Sequence, residues 1–166
     1  MVFSHDGLRD SLTHLAAPPY FYESLRRELI SAQRDRRKFS LLRLQLLPKN
    51  NQDLPSQLSS YSLPNFSLPS DSLYESAIID FAELIKISVR GEDICARLGR
   101  FEFTLIVRAH LDIARSIAQR IQASWKSDYL ECLSATLSVN NQESTLELLN
   151  RLDNQELLDR TQSLAN

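Results

Sequence analysis

Two apolar runs, Asp93–Leu98 and Phe101–Val107, are separated only by Gly99-Arg100. Runs of this length joined by a two-residue spacer with glycine first predict a tight β-hairpin. That hairpin sits in the middle of segments with helical period, so it constrains the fold more than any other feature. Upstream, Phe21, Leu25, Leu29 and Ala32 recur at helical spacing and predict a helix over Tyr20–Arg37, entered through Pro18-Pro19. Phe39–Leu47 is apolar and ends at Pro48, as a buried strand does. Tyr74, Ala77, Ile78, Phe81, Ala82 and Ile85 make one stripe of a helix over Leu73–Val89, with Ser72-x-x-Glu75 as a capping box. Downstream, Ile113, Ile117 and Ile121 mark a helix over Leu111–Trp125, and Tyr129–Val139 reads as a strand. Ser144-x-x-Glu147 then opens a last helix through Leu146, Leu149 and Leu152. The order α, β, α, β, β, α, β, α predicts an α/β (α+β) fold, a sheet covered by helices. There is no internal repeat.

The segment Lys49–Ser72 breaks this rhythm. It is rich in Ser, Asn, Gln and Pro with recurring Leu, and is expected to be a long loop packed on the body through Tyr61 and Phe66. The whole chain, residues 1–166, reads as a single domain.

Composition narrows the function. With 43% hydrophobic and 24% charged residues and a net charge of −2, the chain has the balance of an ordinary globule and no electrostatic case for nucleic acid. No apolar run nears the roughly 20 residues of a membrane span, and the first ten residues do not read as a signal peptide. Cys95 and Cys132 are too few and too far apart for a zinc site; the expectation is a cytoplasmic protein with two buried thiols. Three glycines, Gly7, Gly91 and Gly99, do not suffice for a glycine-rich phosphate loop. His5, His14 and His110 show no ligand spacing and are expected in solvated or capping roles. The basic cluster Arg34–Lys38 suits a helix C-terminus.

Several short motifs occur in an order worth reading together. Asp10-Ser11-Leu12-Thr13-His14-Leu15 precedes the first helix, Arg90-Gly91-Glu92-Asp93 precedes the hairpin, and the hairpin reads Ala96-Arg97-Leu98-Gly99-Arg100-Phe101-Glu102-Phe103. Ala118-Gln119-Arg120-Ile121, Thr136-Leu137-Ser138 and Leu148-Leu149-Asn150-Arg151-Leu152-Asp153 follow. In this order, from about Arg9 to Arg160, the chain resembles a GGDEF domain of the diguanylate-cyclase type, with D-x-L-T, R-x-x-D and a signature hairpin altered to G-R-F-E-F. The resemblance implies a central, mostly antiparallel sheet flanked by helices, of nucleotidyl-cyclase-like form. Because the D-x-L-T segment starts at Asp10, a chain without a sensory domain is expected, either a fragment or a small adaptor.

The departures from the family pattern bear on function. In the family, two metal ions held by carboxylates activate one GTP against another. The first acidic position of the signature is Phe101 here, and the Asp positions at the end of the first strand correspond to Gln45 and Leu47. Arg100 stands where the second glycine lets backbone approach phosphate. The guanine-binding Asn has no clear counterpart in the rewritten loop, and Glu75 is the nearest match for the guanine-binding Asp. The expectation is a domain that is not an enzyme and holds no metal or cofactor, since Glu102 alone does not hold two metals.

What the resemblance leaves is the inhibitory-type site. There Arg90 and Asp93, with Arg120 as a second arginine, would bind cyclic di-GMP, the arginine fork gripping phosphate and guanine. The bland alternatives are that Arg90 caps a helix C-terminus, Asp93 begins a strand, and Arg120 lies on a solvated helix face. Arg97 is expected on the sheet surface and Phe103 in the core, while Phe101 is either core or an exposed partner contact. Three functional classes follow: a cyclic di-GMP receptor signalling to a protein partner, a ligand-free interaction or homodimerisation module, and residual cyclase activity or GTP sensing.

Overall fold

The computed structural model describes residues 4–49, 71–140 and 142–163. The expected packing of Tyr61 and Phe66 lies outside them. The elements are α1 (Pro18–Asp35), β1 (Ser40–Pro48), α2 (Asp71–Ser88), β2 (Ile94–Arg97), β3 (Glu102–Val107), α3 (Leu111–Ser124), β4 (Leu130–Ser138), α4 (Thr145–Asp153) and a single turn, α5 (Arg160–Ser163). The expected order holds, with α5 added at the end.

The four strands form one antiparallel sheet in the order β2-β3-β1-β4. Period-two alternation along β1 sends its side chains to two cores. Leu42, Leu44 and Leu46 meet Ile78, Phe81 and Ile85 of α2 and Ala114, Ile117 and Ile121 of α3. Leu41 meets Phe21, Leu25 and Leu29 of α1 and Leu148 and Leu152 of α4. The sheet is therefore covered on both faces, which is why β1 reads as a nearly unbroken apolar run.

Local signals place most helix ends. Pro18 begins α1, and Arg36 ends it in the left-handed region at φ 53°. The Ser144 box forms as expected: Glu147 N–H donates to Ser144 Oγ at 3.2 Å, and Ser144 N–H donates to the Glu147 carboxylate at 2.8 Å. Ser72, expected to open α2, lies in its first turn, since the helix has already begun at Asp71. Two stripes are also turned from their expected faces. Ala114 and Ala118 replace Ile113 in the α3 contact, and Leu148 replaces Leu146 in that of α4. In both helices the sheet selects the neighbouring residue, because small alanines allow closer approach and Leu148 faces α1 directly.

Both thiols are withdrawn as expected, Cys132 fully and Cys95 in large part. Burial pushes each up to about 12, so neither is a thiolate nucleophile at neutral pH.

The hairpin is tied to the N-terminal segment. Ala16 N–H donates to Cys95 O at 2.9 Å, and Arg97 N–H donates to Ala16 O at 3.0 Å, so this segment lies along the outer edge of β2. Contrary to expectation, Arg97 is not on the sheet surface. It is 4% exposed, and its Nη1 donates to both oxygens of Asp10, itself 1% exposed, at 3.1 and 3.0 Å. Its other nitrogens donate to Arg100 O at 3.3 and 3.0 Å. Asp10 Oδ2 also accepts from Thr13 N–H at 2.8 Å and from the Thr13 hydroxyl at 2.6 Å. Removing one partner of a buried pair strands the other charge away from water. Asp10→Ala is expected to lower unfolding free energy by about 3–5 kcal/mol in denaturant titration. The double variant Asp10→Ala/Arg97→Leu is expected to lose less than the sum of the two single losses.

Candidate ligand-binding site

Two groups of residues singled out by sequence come together at separate places: R-x-x-D at the end of α2, and the signature at the hairpin tip.

The end of α2 is held by side chains. Ser88 Oγ donates to Leu84 O at 2.7 Å, and Arg120 reaches over from α3 to donate to Ser88 O at 2.5 Å. A cation on the last carbonyls of a helix satisfies orphan acceptors and complements the dipole. The capping role expected of Arg90 is therefore filled by Arg120, which stays exposed on the helix face as the bland reading had it. The bond also brings the Arg120 guanidinium to Ser88, two residues before Arg90 in the chain.

Asp93 closes the loop between α2 and β2. Its Oδ2 accepts from Arg90 N–H at 3.1 Å and its Oδ1 from Arg108 N–H at 3.0 Å, while Asp93 N–H returns to Arg90 O at 3.1 Å. It thus joins the loop to the end of β3, a larger role than starting a strand. An ionised carboxylate has about four acceptor positions, so two remain for a ligand. Arg90 is different. Its side chain is 64% exposed, and its guanidinium lies 4.0 Å from Glu92. Gly91 has nothing within 4 Å of where a Cβ would be. Arg90, Asp93 and Arg120 thus gather at one end of α2, one fixed by backbone, one by a helix end, and one extended into solvent.

The signature hairpin turns one residue later than its sequence suggests. Leu98 N–H donates to Glu102 O at 2.9 Å, which leaves Arg100-Phe101 at the tip instead of Gly99-Arg100. Gly99 does not adopt positive φ. A Cβ there would meet Glu102 Cβ at an ordinary 3.5 Å. The tip docks on the first turns of α2. Arg100 Nη2 donates to Asp71 Oδ1 at 2.6 Å and holds that carboxyl below its ordinary range. Phe101 meets Tyr74 edge-on at 5.6 Å, and the Arg100 guanidinium lies 5.1 and 5.8 Å from the two ring centres. Of the two readings of Phe101, the packed one holds: the ring borders the α2/α3 core. Phe103 is fully buried, as expected.

Glu102 is engaged too. It stands opposite Gln45 in the β1–β3 register, and Arg43 Nε lies 3.2 Å from its Oε1. Arg43 Nη1 is 3.6 Å from Asp153 of α4. The Glu102 contact is an ion pair by distance without hydrogen-bond alignment. Tyr22 lies close enough that burial, then Glu102 and Asp153, push its hydroxyl above the ordinary value. Among the described residues, no group of three or more His, Cys, Asp or Glu is placed to hold a metal ion.

Sequence reasoning passed over Arg43, Asp71 and the partners of Asp10. Arg43 left one signal, a single charge in the apolar run of β1. The others pair residues 29 and 87 positions apart, and nothing local announces such pairs.

No family model matches the sequence, and no curated protein matches it. Solved structures do. The coiled coil and GGDEF domain of DgcB from Caulobacter crescentus, in complex with c-di-GMP, superposes with TM-score 0.70 at 17% identity, over 89% of this chain and 78% of that one. The diguanylate cyclase SiaD from Pseudomonas aeruginosa, in complex with its activator SiaC, gives 0.68 at 21%, over 95% of this chain and 57% of that one. The FimX GGDEF domain from Pseudomonas aeruginosa gives 0.67 at 16%, over 88% and 89%. The chain therefore has the fold of GGDEF domains.

The two R-x-x-D residues are separable by stability. Arg90→Ala is expected to leave unfolding free energy unchanged within about 0.5 kcal/mol. Asp93→Ala removes the charged acceptor of two backbone N–H groups and is expected to cost about 1–3 kcal/mol. Parallel urea titrations of the two variants check both.

Proposed function

We propose that this chain is a catalytically inactive, GGDEF-like regulatory domain that binds cyclic di-GMP through Arg90, Asp93 and Arg120. The observation that carries the reading is the condition of Arg90. Its guanidinium is exposed and held only loosely, beside a carboxylate and a second arginine already fixed in place. A planar fork next to an oriented acceptor suits a ligand with anionic phosphates and guanine edges. DgcB, which shares the fold, was solved in complex with c-di-GMP.

The same reading gives the hairpin no catalytic part. The positions that the resemblance pairs with metal ligands hold Phe101, Gln45 and Leu47. The remaining carboxylate, Glu102, faces a guanidinium at 3.2 Å. A cation there opposes binding of another cation by like-charge repulsion. Arg100 and Phe101 are packed on α2, where their side chains occupy the space in front of the tip.

One observation favours a second reading, a module that binds a protein or its own copy. Ile87, one residue before the end of α2, is 81% exposed. SiaD, another chain of this fold, was solved with its activator SiaC. A partner seated over Ile87 would lie beside the R-x-x-D loop, so the two readings are compatible.

Calorimetric titration with cyclic di-GMP is expected to show binding at micromolar or lower concentration, weakened at least about tenfold in Arg90→Ala, the range of one lost charge-assisted contact. Absence of heat from the wild-type chain would leave R-x-x-D without a ligand and favour the protein-interaction reading. Separately, GTP with magnesium is expected to yield no cyclic product by chromatography. Product formed in proportion to protein would overturn the assignment of inactivity.

A further inference from the structure

A hollow of about 380 Å³ opens beside the R-x-x-D loop, between the N-terminal segment and the outer edge of β2. It is lined by Gly91, Asp93 and Cys95 from the R-x-x-D loop and β2 and by Leu8, Arg9 and Tyr20 from the N-terminal segment and the start of α1. Tyr20, in the first turn of α1, is 45% exposed, so one side of its ring faces solvent. Arg9 is exposed and is oriented by donating from Nη1 to His14 O at 2.8 Å, which leaves its other nitrogens to donate elsewhere. Cys95 O accepts from Ala16 N–H. The N–H and C=O of one strand residue point the same way, so the Cys95 amide also faces away from β3, along the hollow.

We propose that this hollow is the second half of the dinucleotide site, with Tyr20 as the stacking platform for one guanine and Arg9 as a second phosphate contact. The inference rests on the reading of R-x-x-D given above and assigns residues outside that motif. The chemistry fits a purine. An aromatic face stacks on any base, a backbone N–H along the hollow meets an acceptor edge, and a guanidinium meets phosphate. The open space around Gly91 leaves the passage from Arg90 into the hollow clear of side chain. Asp93 belongs to both halves, because it lines the hollow and closes the loop that carries Arg90.

The test is calorimetric titration of the full chain with cyclic di-GMP, comparing wild type, Tyr20→Ala, Tyr20→Phe and Arg9→Ala, with folding checked by circular dichroism. Tyr20→Ala is expected to weaken binding about tenfold or more, as loss of one base stack does, and Tyr20→Phe to keep it. Arg9→Ala is expected to weaken binding and to reduce its salt dependence, as loss of a phosphate contact does. If Tyr20→Ala fails to fold, Arg9→Ala decides. Wild-type binding that Arg90→Ala abolishes, with Tyr20→Ala and Arg9→Ala unchanged, would overturn this inference and leave the R-x-x-D reading intact. No binding by the wild type would overturn both.

Discussion

The buried pair between Asp10 and Arg97 is the contact on which the arrangement of the sheet edge depends. A charge withdrawn from water costs several kcal/mol unless partners surround it. Here the partners come from three places: Thr13 in the N-terminal segment, Arg100 in the hairpin, and each member of the pair for the other. The chain satisfies these donors and acceptors together only if the N-terminal segment lies on β2 with Ala16 against Ala96, the register observed. Hydrophobic contact tolerates sliding; a carboxylate receiving four hydrogen bonds does not. The pair thereby fixes one wall of the hollow beside R-x-x-D and the base of the hairpin at once.

At its other end the hairpin is held by ion pairs. Carboxylates brought close together repel one another unless cations lie between them. In this chain those around the hairpin are paired internally: Glu102 and Asp153 with Arg43, Asp71 with Arg100. Of these, the Arg100–Asp71 pair is exposed and adds little stability by itself. The effect of the pairs is on shape, because each sets where a guanidinium and its stem lie, Arg43 between β3 and α4 and Arg100 on the start of α2. Phe101 on Tyr74 does the same with apolar surface.

The layer order of the fold was legible because it depends on periodicity. The stripes of α1 and α2, the apolar β1 and the hairpin all follow from spacing, and each element was placed within one or two residues. The failures have physical causes. Ile113 and Leu146 were assigned to cores that chose Ala114 and Leu148, since the stripe of a short helix is set to within one residue only by what it packs against. The turn was placed on Gly99 because glycine usually supplies positive φ, whereas here the tip, Arg100-Phe101, is formed by residues that need none. Arg97 was read as a surface residue because burial of arginine depends on a carboxylate 87 positions away. Of the candidate site, the sequence offers Arg90, Asp93 and Arg120 as candidates but not their unequal conditions, which depend on what Ser88 O and Arg108 N–H bring from elsewhere.

That inequality matters for recognition. Asp93 is held by two backbone N–H groups, so its orientation is set by folding and no rotamer freedom remains to be lost when a ligand arrives. Arg120 is similarly pinned to Ser88 O. Arg90 retains the freedom of a long exposed side chain, worth up to about 2 kcal/mol of rotamer entropy, which is what the proposed site would have to order. A loop built this way separates two demands that conflict in one residue. In the proposed site the fixed acceptor would give direction and the free fork reach. The fixed part also serves the fold and the exposed part does not, so Arg90 is free to change without disturbing the strand that Asp93 anchors.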